Sequence, residues 1–301
     1  MSDMRKLLVH LNDDVVSRQA IEWAGALADS LGAHLSAMAV LEPQLSGVGL
    51  SAEAAALAQQ VEQARRTSLR ATAEGLVRDL GQHGTGVPEL RLVEGDPVDA
   101  LQAASLATDL LIVSQRDPAG AGGLASGQAG RLLLGAACPV MVVPHIGWKH
   151  GHGTTGQPGI AQTILVAWAG TRESARALRD ALPLLVRAAQ VELVAFAPGG
   201  QGAVQSQRDA LQDVASYLGA HDVHAAVRVL NQAPPSVGER LRNGWVPDVA
   251  VAEALLSHAA DSHADLIVMG GYGHSRLRQL VLGGVTRTML ESMTVPVLLS
   301  H

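Results

Sequence analysis

A chain of 301 residues with a formal net charge of -6 and 2% aromatic residues lacks the basic face and stacking rings that a nucleic-acid surface needs. Its single cysteine, Cys138, excludes an intrachain disulfide and a cysteine-cluster metal site. No stretch approaches the ~20 apolar residues that span a bilayer, and the apolar run after Arg5 and Lys6 is too short for a secretory signal, so a cytoplasmic chain without a membrane partner is expected.

The chain opens on the apolar run Leu7 to Leu11, which ends in the turn and cap residues Asn12, Asp13 and Asp14. Ile21, Ala24, Leu27, Ala28 and Leu31 then recur at helical spacing, and Gly32 stops that helix before a strand from Leu35 to Leu41. Ser51 to Gly81, rich in Ala, Gln, Glu and Arg, reads as one long amphipathic helix with a solvated charged face. A strand over Glu89 to Val93, a helix opened by Asp96-Pro97, a strand over Leu110 to Val113 and a loose loop from Gly120 to Gly127 follow. A helix through Arg131 to Leu134 and a fifth strand from Pro139 to Val143 complete an alternating βα series. Residues 1–146 form the first domain on this reading, and 147–160, with Gly, Thr, Gln and Pro and no periodicity, form a linker.

Residues 161–301 repeat the plan. Strands are expected over Ile164 to Trp168, Val191 to Phe196, Ala225 to Leu230, Leu266 to Met269 and Val295 to Leu299. Helices are expected over Arg172 to Ala188, Gln205 to Leu218, Val249 to Ser262 and Gly284 to Ser292. Paired segments mark a duplication: Asp109-Leu110-Leu111-Ile112-Val113 matches Asp265-Leu266-Ile267-Val268-Met269, and Cys138-Pro139-Val140 matches Val295-Pro296-Val297.

The stretch with chemical promise runs from Asp265 to Thr286. A buried strand breaks there into Gly270, Gly271 and Gly273, and the next helix opens at Gly283-Gly284. Backbone N–H groups at such a helix start stabilise an anion without any basic side chain, although a turn required only by the fold reads the same way. The histidines His145, His150 and His152 have no carboxylate neighbours at ligand spacing and read as solvated linker residues.

The two halves resemble tandem universal stress proteins, in which two copies of one α/β domain share a chain. The run Met269-Gly270-Gly271-Tyr272-Gly273 through Gly283-Gly284 is similar to that family's ATP-loop pattern of Gly, two residues, Gly, nine residues, Gly, then Ser or Thr. Lys6 to Asp14 and Ile164 to Thr171 resemble its first strand and turn. The resemblance implies two Rossmann-like domains, each an open, mostly parallel five-stranded sheet of order 3-2-1-4-5, with a ligand at the carboxyl ends of strands one and four. It implies that the two fifth strands lie side by side, so that one chain is an intrachain pseudo-dimer, with a further homodimer left open. Its site residues in the C-terminal half are Ala167, Gly270, Gly273, Gly283, Gly284, Val285 and Thr286, with ATP or AMP as the cofactor and Arg276 or Arg278 helping to neutralise charge.

Departures from the pattern shape the functional expectation. The acidic residue that follows the first strand in nucleotide-binding members is replaced by Asn12 and Ala169, and the hydroxyl after the last glycine by Gly284. In the N-terminal half, Ser114 and Asp117 stand where the first two glycines belong, so no nucleotide is expected there. The expected function is a stress-response role without catalysis, through an unidentified protein partner or ligand. A weak ATP-hydrolysing or nucleotidyl-transferring enzyme and a scaffold that binds no nucleotide are the alternatives.

Overall fold

The computed structural model describes residues 3–12, 15–42, 51–81, 88–116, 123–146, 151–152, 158–197, 201–231, 247–271 and 283–301. The chain divides into two compact units, Met4–Cys138 and Pro139–His301, the latter joined by Met1–Asp3.

In the N-terminal unit, β1 (Lys6–Leu11), β2 (His34–Leu41), β3 (Glu89–Glu94) and β4 (Leu110–Ser114) lie in the order β3-β2-β1-β4, all parallel. Helices α1 (Val15–Leu31), α2 (Ala52–Gly81), α3 (Pro97–Ser105) and α4 (Ser126–Gly135) connect and flank them. Helix α1 buries Ile21, Trp23, Ala24, Leu27 and Ala28. It ends where Gly32 adopts φ +63 and the Ala33 N–H reaches back to the Ala28 carbonyl at 2.9 Å, a conformation that glycine takes at little cost. Helix α2 joins the core only in its second half, through Leu69, Ala73, Leu76, Val77 and Leu80. In its first half Glu62 pairs with Arg65 and Arg66, the solvated face expected from composition. Helix α3 is capped by Asp96, whose Oδ1 accepts from the Val98 and Asp99 N–H groups at 2.8 and 3.1 Å.

The second unit contains β5 (Val140–Val143), the two-residue strands β6 (Gly151–His152) and β7 (Pro158–Gly159), β8 (Thr163–Ala167), β9 (Gln190–Ala197), β10 (Ala225–Asn231), β11 (Leu266–Gly270) and β12 (Val297–Ser300). Its helices are α5 (Arg172–Asp180), α6 (Leu182–Leu185), α7 (Gln201–Gly219), α8 (Pro247–Asp261) and α9 (Gly284–Ser292). Strands β10-β9-β8-β11-β12 are parallel and in the 3-2-1-4-5 order implied by the resemblance. Strand β5 pairs with β12 antiparallel, with Met141 opposite Leu298, so the two fifth strands do lie together and cover each other's edge.

Three local expectations are corrected. The single helix expected from Arg172 to Ala188 is two, separated at Ala181, because Pro183 has no N–H to donate and starts the short α6. The loop expected to reach Gly127 ends earlier, since α4 begins at Ser126 after the Ala125 N–H is held by Gln128 Oε1 at 3.0 Å. The linker contains a small antiparallel pairing, Gly151 with Gly159 and His152 with Pro158.

The duplicated aspartates have one structural role in both halves. Asp109 Oδ2 accepts from the Arg5 and Lys6 N–H groups at 2.8 Å each, and Asp265 accepts from Gln162 and Thr163 at 2.8 and 2.9 Å. Each carboxylate ties the start of strand four to the start of strand one. Burial pushes the Asp265 carboxyl up, against the three backbone N–H groups of Gln162, Thr163 and Asp265 itself that hold it down. Asp265→Asn leaves one of those donors facing an amide NH2. It is expected to cost about 1–2 kcal/mol in chemical denaturation, and a variant as stable as the parent would refute this tether.

Candidate functional site

The C-terminal crevice is built where β8 and β11 end. Met269 is in register with Ala167, so Gly270, the last residue of β11 and still paired with Ser300, lies one residue past the end of β8. Chain order sends β11 through α9 to the parallel strand β12, and such a crossover brings the helix N-terminus back to the carboxyl edge of the sheet. Gly283 is the N-cap of α9, with φ -56 and no side chain to cap the helix, whereas α3 and α5 are capped by their own Asp96 and Thr171. Gly284 and Val285 are half-buried and Thr286 is buried at the third helical position. Ala167 and Gly270 thus stand at the ends of the neighbouring strands β8 and β11, and Gly283 to Thr286 open the helix that leads into β12. Gly273, like Tyr272, Ser275, Arg276 and Arg278, lies outside the described residues.

Helix α5 packs against the end of β11. After β8 the chain turns at Gly170, with φ +67, and Thr171 caps the helix. The Ser174 N–H donates to Thr171 Oγ1 at 3.2 Å, and the Thr171 N–H donates to Ser174 Oγ at 3.0 Å. This first turn lies directly on Gly270. A Cβ at position 270 would stand 2.6 Å from the Ser174 nitrogen, 2.7 Å from the Glu173 carbonyl carbon and 2.9 Å from Glu173 Cβ. The first glycine of the loop is therefore explained by helix approach, independently of any ligand.

The position of Glu173 beside Gly270 was not legible in sequence, because it is a tertiary contact. The Thr171-Arg172-Glu173-Ser174 run signals a helix start, and nothing in it points to β11. The Glu173 side chain is 15% exposed, while its neighbour Arg172 is 83% exposed at 3.5 Å. Burial works to raise the Glu173 carboxyl. It is outweighed by its own backbone N–H, the Thr171 hydroxyl, Arg172 and His301, which hold the group below the usual carboxylate range. His301 Nδ1 lies 3.4 Å from the Gly271 carbonyl, and the His301 main-chain oxygen accepts from Arg176 Nη1 at 2.7 Å.

The N-terminal counterpart is different. Ser114, at the position of Gly270, is a buried last residue of β4. Beyond it the chain folds back: Gln115 bridges to Leu124, and the Leu124 N–H reaches the Ser114 carbonyl at 3.3 Å. Gly123 adopts φ +67 so close to this edge that a Cβ would meet the Gln115 oxygen at 2.5 Å. Asp117 lies outside the described residues. His258 is engaged with Glu192 at 2.8 Å, and Glu192 also takes Arg228 at 2.7 Å. Among the described residues no helix is long and apolar enough to cross a membrane.

A doubly wound parallel sheet with a crevice at its switch point defines a Rossmann-like α/β protein in each half. The chain belongs to the universal stress protein family, whose model matches it twice, over residues 4–144 and 161–301. Among curated proteins, "Universal stress protein Slr1230" of Synechocystis is 44% identical over 46 residues, a match spanning 15% of this chain and 16% of that protein. Among solved structures, a universal stress protein from Archaeoglobus fulgidus matches with a TM-score of 0.66 at 15% identity, covering 98% of this chain and 97% of that one. The functionally unknown protein PA1789 from Pseudomonas aeruginosa matches with a TM-score of 0.57 at 14% identity, covering 99% and 92%. At these identities the structures speak for the fold alone.

Proposed function

We propose that this chain is a cytoplasmic stress-response protein that acts without catalysis, by engaging a protein partner, and that its C-terminal half holds one adenine nucleotide. The domains on this reading are 1–146 and 161–301, joined by 147–160. The nucleotide site comprises Ala167, Gly270, Gly273, Gly283, Gly284, Val285 and Thr286. The observation that carries the reading is the start of α9 at Gly283, which presents a helix N-terminus without a side-chain cap at the carboxyl edge of the sheet. The N-terminal half is read as empty of nucleotide, because its own Gly123-Leu124 segment folds against the matching strand end.

Calorimetric titration of the intact chain with AMP and ATP tests this directly. Saturable binding is expected, and Gly284→Asp is expected to weaken it by roughly tenfold or more, about 1.4 kcal/mol. An acidic residue in the first turn suits the helix, so the variant keeps its fold while its charge opposes phosphate. Absence of saturable binding in the parent chain would sink the nucleotide reading.

A further inference from the structure

We propose that the outer face of the first half of α2 is a self-association surface, on which the same helix of a second copy of this chain packs antiparallel, with the two-fold axis beside residue 59. Ala54, Leu57, Val61, Ala64, Ser68 and Ala71 recur at alternating spacings of three and four residues, the repeat of a helix–helix seam. At about 100° per residue this seam faces about 130° away from the side of α2 that buries Leu69, Ala73, Leu76, Val77 and Leu80. It is open to solvent: Leu57 and Val61 are 62% and 58% exposed, and Ala64, Ser68 and Ala71 are exposed as well. Two large aliphatic side chains turned outward on successive turns leave apolar area that a facing helix would remove from water.

Two features select a second copy as the occupant. The seam from Ala54 to Val61 and Ala64 reads alike in both directions, small, large, large, small, at spacings of three, four and three. An antiparallel copy centred on residue 59 therefore sets Leu57 against Val61, and Ala54 against Ala64, on both sides of the axis at once. That is the self-complementarity an isologous contact requires. Charge agrees with the same register. It brings the exposed Glu53 level with Arg65 of the second copy, twice by symmetry, and leaves only the uncharged Ala58 and Gln60 flanking the axis. Arg65 is held in place by Glu62 of its own helix at 3.2 Å. Sliding the copies by one heptad to match the longer seam would instead bring Glu53 up to Glu74, acid against acid. The favoured overlap is about 15 Å long, short of what a permanent dimer buries, so the association is reversible and concentration-dependent.

Sedimentation velocity of the intact chain without nucleotide, from about 1 to 500 µM, tests this, and a monomer–dimer equilibrium with a Kd of roughly 10–100 µM is expected. The double variant Leu57→Glu, Val61→Glu is expected to weaken dimerisation by about tenfold or more, since it sets like charges against each other across the axis. Its thermal unfolding at a concentration where both proteins are monomeric is expected to match the parent, because both side chains are exposed. Orientation is read by disulfide trapping under mild oxidation, with the parent as the control for Cys138. Gln60→Cys, beside the axis, is expected to give a covalent dimer, and Thr67→Cys, one heptad on, is not. A parent that stays monomeric throughout, or a dimer that survives the double variant, overturns the surface. Trapping at position 67, as a parallel pair would give, overturns the antiparallel arrangement.

Discussion

Lowering the pH from 7 to 4 is expected to cost the N-terminal unit about 3 kcal/mol of stability, through His10. That residue sits on β1 between Val9 and Leu11, in register with Met38 of β2, and is 2% exposed. Its Nε2 is buried with no hydrogen-bond partner among the described residues. Burial lowers its pKa from 6.5 to about 4, because a charged imidazole would have to be accommodated without water. The direction follows from proton counting. Between about 4 and 6.5 the unfolded chain binds a proton on His10 that the folded chain does not, so stability is complete above 6.5 and is lost as pH falls through that window. At about 1.4 kcal/mol per pH unit the loss accumulates to about 3 kcal/mol.

Other titrating groups leave this window readable. Glu62 and Glu89 are lowered by their arginine neighbours, so they lose stabilisation only below the ordinary glutamate range, and both are solvent-screened. Asp180 and Asp265, raised by burial, act with the opposite sign and belong to the other unit. Amide hydrogen exchange in β1 and β2, followed from pH 7 to 4 and corrected for the intrinsic rate, should show opening free energies falling by about that amount. His10→Leu should flatten the dependence. An identical slope in the variant would assign it to other groups.

The strands were the most legible part of this molecule for a physical reason. A parallel strand covered on both faces needs an uninterrupted apolar run, and Leu110 to Val113 and Leu266 to Met269 are such runs, all at most 6% exposed. Gly32 and Asp96 could be read locally because a helix end is satisfied by residues within one turn. The break before α6 was equally local, since Pro183 lies inside the expected helix and cannot donate. What escaped the sequence is tertiary. The tethers made by Asp109 and Asp265 join residues about a hundred positions apart, so the repeated aspartate read only as part of a repeat. Glu173 and Gly270 are likewise remote in the chain and meet only because α5 crosses the end of β11. The glycine spacing was legible, but its first member has a packing reason that no spacing reveals.

Replacing Gly270 with alanine is expected to destabilise the C-terminal unit by about 3 kcal/mol, near the upper end for a group forced into a filled space. The cause is space rather than backbone conformation, since Gly270 is not among the glycines with positive φ. An added methyl would stand 2.6 Å from the Ser174 nitrogen and 2.7 Å from the Glu173 carbonyl carbon, and both are backbone atoms that cannot rotate away. Relief requires α5 to lift from β11, which opens the packing of a helix that buries Ala177 and Leu178. Gly271→Ala supplies the contrast one residue on: among the described residues its methyl would meet only the Ser300 carbonyl oxygen at 3.6 Å, an ordinary contact, and less than about 1 kcal/mol is expected. Urea denaturation of the two variants, with nucleotide titration of the folded protein, separates the two reasons for a glycine at this position. A marked loss of stability at 270 alone makes the residue a packing requirement of the fold, and the case for nucleotide then rests on the start of α9. Full stability at 270 with loss of binding would return Gly270 to the ligand and remove the close approach of α5 as its explanation.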